Sequence, residues 1–251
     1  MPPPSSSLDP LRAHTTIVAD TGDFNVLSLY RSQDATTNSS HILAASQRPE
    51  YAHLLHAAVA HARADTTSSD PAAQVDAALL HLLVSFGCEI LRHVPGRVST
   101  EVDPSLSFDA AATVAYARRI VAAYGARGVG RERVLVKIPA TWEGFLAVEA
   151  LEREGIRCNV TLLFGLRPQA MRAAEELKGE EVEMRPVLVR EKVAKQDASV
   201  KVKSYADDEA AFRTDLFNDH AAHDKMTDML RQFLRDGAAT KAALKELLQS
   251  S

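Results

Sequence analysis

Cysteine is scarce in this chain: Cys88 and Cys158 are the only two, and no C-x-x-C spacing occurs. Both sit in apolar stretches, so buried free thiols in a reducing compartment are expected rather than a disulfide framework or thiolate metal site. Basic excess is also lacking. With a formal net charge of −4 and no Lys/Arg stripe interleaved with aromatics, the chain has no electrostatic footprint for nucleic acid. No run approaches the roughly 18 apolar residues of a membrane-spanning helix. Neither G-x-G-x-x-G, a Walker loop nor H-E-x-x-H is present. The opening MPPPSSSLDP has neither a secretory apolar core nor an Arg-rich amphipathic pattern, and residues 1–11 are expected to be a disordered tail. The default location is cytoplasmic, which makes the sequons at Asn38 and Asn159 coincidences.

What is present fits a globular domain. Hydrophobic residues make up 46% and charged residues 25%, ordinary values for a water-soluble fold. The 251 residues match the roughly 250 of one α/β barrel. Small anionic substrates stay open, since they need only a few local cations. His53, His56 and His61 on one stretch, and His220 and His223 on another, have no metal-type pattern and read as solvated or partly packed. Trp142 and Phe145, at helical spacing, read as core.

The first two thirds alternate short β-rich runs with helical patterns. TTIVAD (15–20), DATTN (34–38), GRVSTEVD (96–103), RVLVKIPA (133–140) and RCNVTLLF (157–164) are the β runs. Helices are expected at 49–64, 73–93 and 108–126, the last with Ser107 as N-cap, and again from Thr141 with Glu143 in the first turn. That order argues for a parallel sheet with helical crossovers. Asp20, Asn38, Glu101, Lys137 and Thr161 each fall within or at the carboxyl end of a different run. In a (β/α) barrel such positions converge on the active-site mouth. A charged Lys137 between Val136 and Ile138 is costly in a plain core strand and points to function. For the other four taken singly, a helix cap or a satisfied polar group is the plainer reading. Beyond Leu166 the sequence turns charged and helix-rich, with MRPVLVRE (184–191) the one candidate for a sixth strand. Five strands are too few to close an eight-stranded barrel.

VADTGDF (18–24), QDATTNSS (33–40), PGRVSTEVDPSLSFD (95–109), VLVKIPATWEG (134–144) and EGIRCNVTLLF (154–164) resemble successive strand motifs of the transaldolase family, in family order. FRTDLFNDHAAHDKMTDMLRQF (212–233) resembles the family's carboxyl-terminal helices. The resemblance implies a TIM (β/α) barrel of the class I aldolase type, here incomplete. It would be a single domain over 12–251, with a barrel part over 12–166 and a helical part over 167–251. The family's SPFVGR-like and ASFRN-like motifs, expected to bind substrate phosphate, do not occur. Ser39 and Ser32 stand where the family commonly has proline.

The same resemblance implies the chemistry. A dihydroxyacetone unit would pass between sugar phosphates, from sedoheptulose 7-phosphate to glyceraldehyde 3-phosphate, giving erythrose 4-phosphate and fructose 6-phosphate in the pentose phosphate pathway. Lys137 would be the Schiff-base nucleophile, its amine freed by burial among apolar neighbours. Glu101 would be the general acid/base acting through a water held by Thr161. Asp20 would take and return the proton of the hydroxyl beside the cleaved bond, and Asn38 would grip a hydroxyl of the three-carbon unit. No metal or organic cofactor is needed, because the iminium is the electron sink. The partners implied are small sugar phosphates, with no nucleic acid or membrane and with a homodimer open. Two other readings are a catalytically impaired truncated paralogue or splice product acting as an interaction protein, and a Schiff-base aldolase for another small sugar.

Overall fold

The computed structural model describes residues 8–65, 70–165, 169–170, 172–173 and 204–250. All five expected β runs form strands: β1 (Val18–Asp20), β2 (Asp34–Thr36), β3 (Val98–Glu101), β4 (Val134–Pro139) and β5 (Cys158–Thr161). They lie side by side in chain order, every pair parallel. Helical crossovers return the chain to the same end of the sheet each time, which is why the pairing is parallel. The result is an α/β half-barrel, the incomplete TIM barrel expected. Its central strands are its most buried. All four residues of β3 are buried, whereas β1 exposes Val18 and Asp20. Among the described residues β1 and β5 each pair on one side only. The candidate strand at 184–191 lies outside the described residues.

The helices are α1 (Ser39–Ser46), α2 (Ala52–Asp65), α3 (Pro71–Ile90), α4 (Ala110–Gly125), α5 (Trp142–Arg153), α6 (Glu209–Asn218) and α7 (His220–Gln249). The structure adds to the sequence reading and corrects it at one cap. Helix α1 has no counterpart in the sequence reading, because eight residues are too few to show a stripe. Ser107 does not cap α4. Its Oγ donates to the Pro104 carbonyl at 2.6 Å, closing a 3₁₀ turn, and Asp109 caps the helix by accepting from the Ala112 amide at 2.9 Å. Within the segment expected as a tail over 1–11, Asp9 to Leu11 belong to a helical turn, Asp9–Arg12, where the Arg12 guanidinium donates to the carbonyls of Arg31 and Tyr30. Helix α3, though no unbroken apolar run, is by length and composition able to cross a membrane. Ala78, Leu82, Val84, Phe86 and Ile90 are nevertheless buried here, as befits a core helix packed between α2 and α4.

Two apolar clusters hold the molecule together. The larger joins the strands to α1–α4 through Phe24, Ile42, Tyr51, Phe86, Ile120 and Tyr124. The smaller joins α5 to the carboxyl-terminal helices through Trp142, Phe145, Tyr205, Phe212, Met226 and Phe233. Helix α7 serves both. Its 30 residues span about 45 Å, and Ala222, Met226, Leu230, Phe233, Gly237, Thr240 and Leu244 form one buried stripe at helical spacing. Its middle lies on the loops that leave β2 and β3. Asp236 bonds Ser40, Gln232 Nε2 donates to Ser40 Oγ at 3.3 Å, and Lys241 pairs with Asp103.

The turn from β4 into α5 is tight. Thr141 caps α5 by accepting from the Gly144 amide at 2.9 Å while its Oγ1 donates to the Ser107 carbonyl at 2.6 Å. A Cβ on Gly144 would stand 2.1 Å from the Pro139 carbonyl oxygen. Gly144→Ala should therefore destabilise the fold by about 1–3 kcal/mol, although alanine is the better helix former by roughly 1 kcal/mol. At Gly125 nothing lies within 4 Å of an added Cβ, and Gly125→Ala should be neutral or stabilising by up to about 1 kcal/mol. Urea unfolding of both variants checks the pair; equal midpoints would refute the backbone-contact argument.

Candidate active site

Strand β4 positions Lys137 and strand β3 positions Glu101, and the two residues are register partners on neighbouring parallel strands. Their side chains therefore leave the same face of the sheet. Both are almost wholly buried, at 5% and 3% exposed. Lys137 Nζ donates to the Thr37 carbonyl at 3.2 Å, across the end of β2. One oxygen of Glu101, Oε2, accepts from the Ser39 amide at 3.1 Å and from Ser39 Oγ at 3.3 Å. The other, Oε1, is buried and has no hydrogen-bond partner among the described residues. Burial pushes the Glu101 carboxyl up to about 7, against the Lys137 charge and the two Ser39 hydrogen bonds, which pull it down. A carboxyl poised there can give or take a proton near neutral pH.

Asp20 ends β1 at the same end of the sheet, with its side chain 56% exposed. Partial burial works to raise its pKa, but the His41 contact and the Lys137 charge outweigh that and hold it below the ordinary carboxylate value. Asp20, Glu101 and Lys137 thus form one electrostatic unit. Asn38 is buried and caps α1, its Oδ1 accepting from the His41 amide at 2.9 Å. This is the plainer of the two readings that its position allowed, and it fixes the asparagine at the mouth.

Thr161 ends β5 two residues beyond Asn159, the register partner of Lys137. By strand alternation all three face the same side. Asn159 escapes the sequence reading, where it figures only as a sequon. Yet its Nδ2 donates to Ser99 Oγ on β3 at 3.0 Å, spanning β4 on the concave face. The two-residue spacing to Thr161 is the signal that could have found it. Gln169 is the second omission. Fully buried, it donates from Nε2 to the carbonyls of Ala140 and Leu162 at 3.1 Å each, and its Oε1 accepts from the amides of Phe164 and Gly165. It thereby ties the exits of β4 and β5 together. Leu162, immediately after Thr161, has a left-handed backbone with φ 58°, costly for a bulky side chain, and the Gln169 bond helps to hold that turn.

A parallel β/α half-barrel with a buried lysine and carboxylates at the carboxyl ends of its strands places this chain among the (β/α)-barrel proteins, with the site where such barrels carry their chemistry. Residues 17–189 match the family model described as transaldolase/fructose-6-phosphate aldolase, and the chain belongs to that family. Similar proteins, each named transaldolase, include one from Methylibium petroleiphilum, 56% identical over 160 residues that make up 64% of this chain and 48% of the relative. Another, from Haemophilus influenzae, is 52% identical over 171 residues, which are 68% of this chain and 53% of the relative. A third, from Actinobacillus succinogenes, is 50% identical over the same shares. The chain spans about half the length of the curated relatives it matches.

The Glu101 carboxyl gives a pH test. Between its ordinary 4.5 and the folded value of about 7, the native state keeps a proton that the unfolded chain releases. Stability from this group is therefore fully present below about 4.5 and falls as pH rises through 7. Glu101→Gln should remove a decline of up to about 3 kcal/mol between pH 5 and pH 8, read by urea unfolding at both pH values. Parallel pH dependence in wild type and variant would show that Glu101 is not the titrating group.

Proposed function

We propose that this chain performs the transaldolase reaction, moving a dihydroxyacetone unit between sugar phosphates through a Schiff base on Lys137. The observation that carries the proposal is the buried Lys137 in register with the buried Glu101 at the carboxyl ends of adjacent strands. Family membership supports the same chemistry. The Lys137 amine adds to the ketose carbonyl carbon, and loss of water from the carbinolamine leaves an iminium. Glu101 supplies and recovers the protons of that step, aided by a water held by Thr161. Asp20 then takes the proton of the hydroxyl on the β carbon. The bond between the α and β carbons breaks, its electrons move to the iminium as an enamine, and the aldose departs. The three-carbon enamine adds to the acceptor aldose by the same steps reversed, and hydrolysis frees Lys137. Asn38 and Asn159, on either side of Lys137, are suited to bind hydroxyls of the three-carbon unit.

Burial of both side chains favours this cycle physically. Water exclusion strengthens every interaction at the reacting carbon, and the fixed strand geometry removes the entropic cost of bringing amine and acid together. The test is borohydride reduction in the presence of fructose 6-phosphate, followed by peptide mass spectrometry. A reduced three-carbon adduct should appear on the Lys137 peptide and be absent from Lys137→Arg. Folded protein that yields no adduct would overturn the proposal.

A further inference from the structure

Asp20 has a neighbour outside the set the mechanism uses. His41 occupies the first turn of α1, and its Nδ1 stands 3.2 Å from Asp20 Oδ1. The separation is that of an ion pair, not of a well-aligned hydrogen bond, and Nδ1 is itself shut off from solvent without another partner among the described residues. Three features fix the His41 backbone there. The His41 amide is held by the Asn38 cap at 2.9 Å. The His41 carbonyl lies so near the exit of β1 that a Cβ on Gly22 would come within 2.6 Å of its oxygen. On the far side Asp236 and Gln232 of α7 clamp the adjacent Ser40.

We propose that His41 is a positioning residue for Asp20: it orients the carboxylate at the barrel mouth and supplies its counter-charge alongside Lys137. The role of Asp20 as proton acceptor rests on the function proposed above; the contact itself does not. Asp20 needs such help more than Glu101 does. Among the described residues it stands on an edge strand, its side chain is 56% exposed, and no backbone amide donates to it, whereas Glu101 is gripped by Ser39. Direction agrees with geometry, since the imidazole and Lys137 together hold the Asp20 carboxyl below its ordinary value despite its partial burial.

Other charges around the pair are accounted for. Glu101 on β3 and Lys137 on β4 face Asp20 from the sheet. Asp236 comes from α7 and is engaged by Ser40. Asp23, in the loop after β1, is committed to Arg48 and Tyr51, and Glu50 also pairs with Arg48.

The test uses the full chain as wild type, His41→Leu and His41→Gln. Carboxyl carbon NMR, with Asp20 assigned through Asp20→Asn, reads the titration midpoint of Asp20 without any turnover. The midpoint should rise in His41→Leu and rise less in His41→Gln, which keeps a donor but no charge. In turnover of fructose 6-phosphate with an aldose acceptor, the acid limb of kcat should move to higher pH in both variants, with KM little changed. An Asp20 midpoint unmoved in His41→Leu overturns the proposal. If the leucine variant does not fold, the His41 ring nitrogen shifts in wild type and Asp20→Asn decide: identical titration in the two would equally overturn it. Absence of a Lys137 adduct in wild type, with the Asp20 midpoint still responding to His41, would instead overturn the catalytic reading and leave the ion pair standing.

Discussion

A lysine side chain buried at 5% exposure is stable in a sheet only where an opposite charge and an acceptor lie within reach. Here the acceptor is the Thr37 carbonyl, and the opposite charge comes from its register partner Glu101 as that carboxyl ionises at about 7. The pairing demands that β2, β3 and β4 be adjacent, parallel and in a fixed register. A slip of one residue would send Lys137 to the opposite face, among the apolar side chains of the helices. Register and charge therefore specify each other. Removing Glu101 alone would leave the buried lysine without its opposite charge in a dry site.

The cost of a buried charge also makes parts of the site legible in the sequence. Lys137 stands out because a charge between Val136 and Ile138 violates the pattern of a core strand, and such violations mark functional positions. Glu101, Asp20 and Thr161 share only a position at the end of a β run, so they become a set through the parallel topology. Asn159 requires the strand register, which places it beside Lys137. His41 requires more: a helix of eight residues that shows no stripe, and a contact between elements that no spacing encodes. The capping of α4 misleads for a local reason. Ser107 and Asp109 are both good caps, and the choice between them falls to a 3₁₀ turn that takes the Ser107 hydroxyl for itself.

Water exclusion at Glu101 depends on the carboxyl-terminal helix. Asp103, two residues beyond Glu101, is tied to Lys241, and Ser40, next to the Ser39 that grips Glu101, is tied to Asp236. Gly237 and Thr240 line a small space together with Glu101, Asn38 and Pro104. The loops that hold the carboxylate are thus clamped by one helix, whose apolar stripe also reaches both hydrophobic clusters. Folding of α7 onto the sheet and the raised proton affinity of Glu101 are consequences of the same packing.

The half-barrel distributes its unpaired edges in a way that spares the centre. Strand β4 is paired on both sides, by β3 and β5, and β3 is likewise flanked by β2 and β4. Lys137 and Glu101 therefore sit on the strands with the most complete backbone pairing. Among the described residues the free edges fall to β1 and β5, which carry Asp20 and Thr161. An edge strand cannot hold a side chain as firmly by backbone pairing alone, so these two positions need support from outside the sheet. Gln169 gives it to β5 by stitching the Leu162 turn to Ala140. Beside β1 the corresponding position is taken by the first turn of α1, where Asn38 holds the backbone of His41 and His41 faces Asp20. Each edge is thus braced by a polar side chain that links it to the neighbouring strand's exit, Gln169 from the segment after β5 and His41 from the segment after β2, and so the geometry at the mouth is kept.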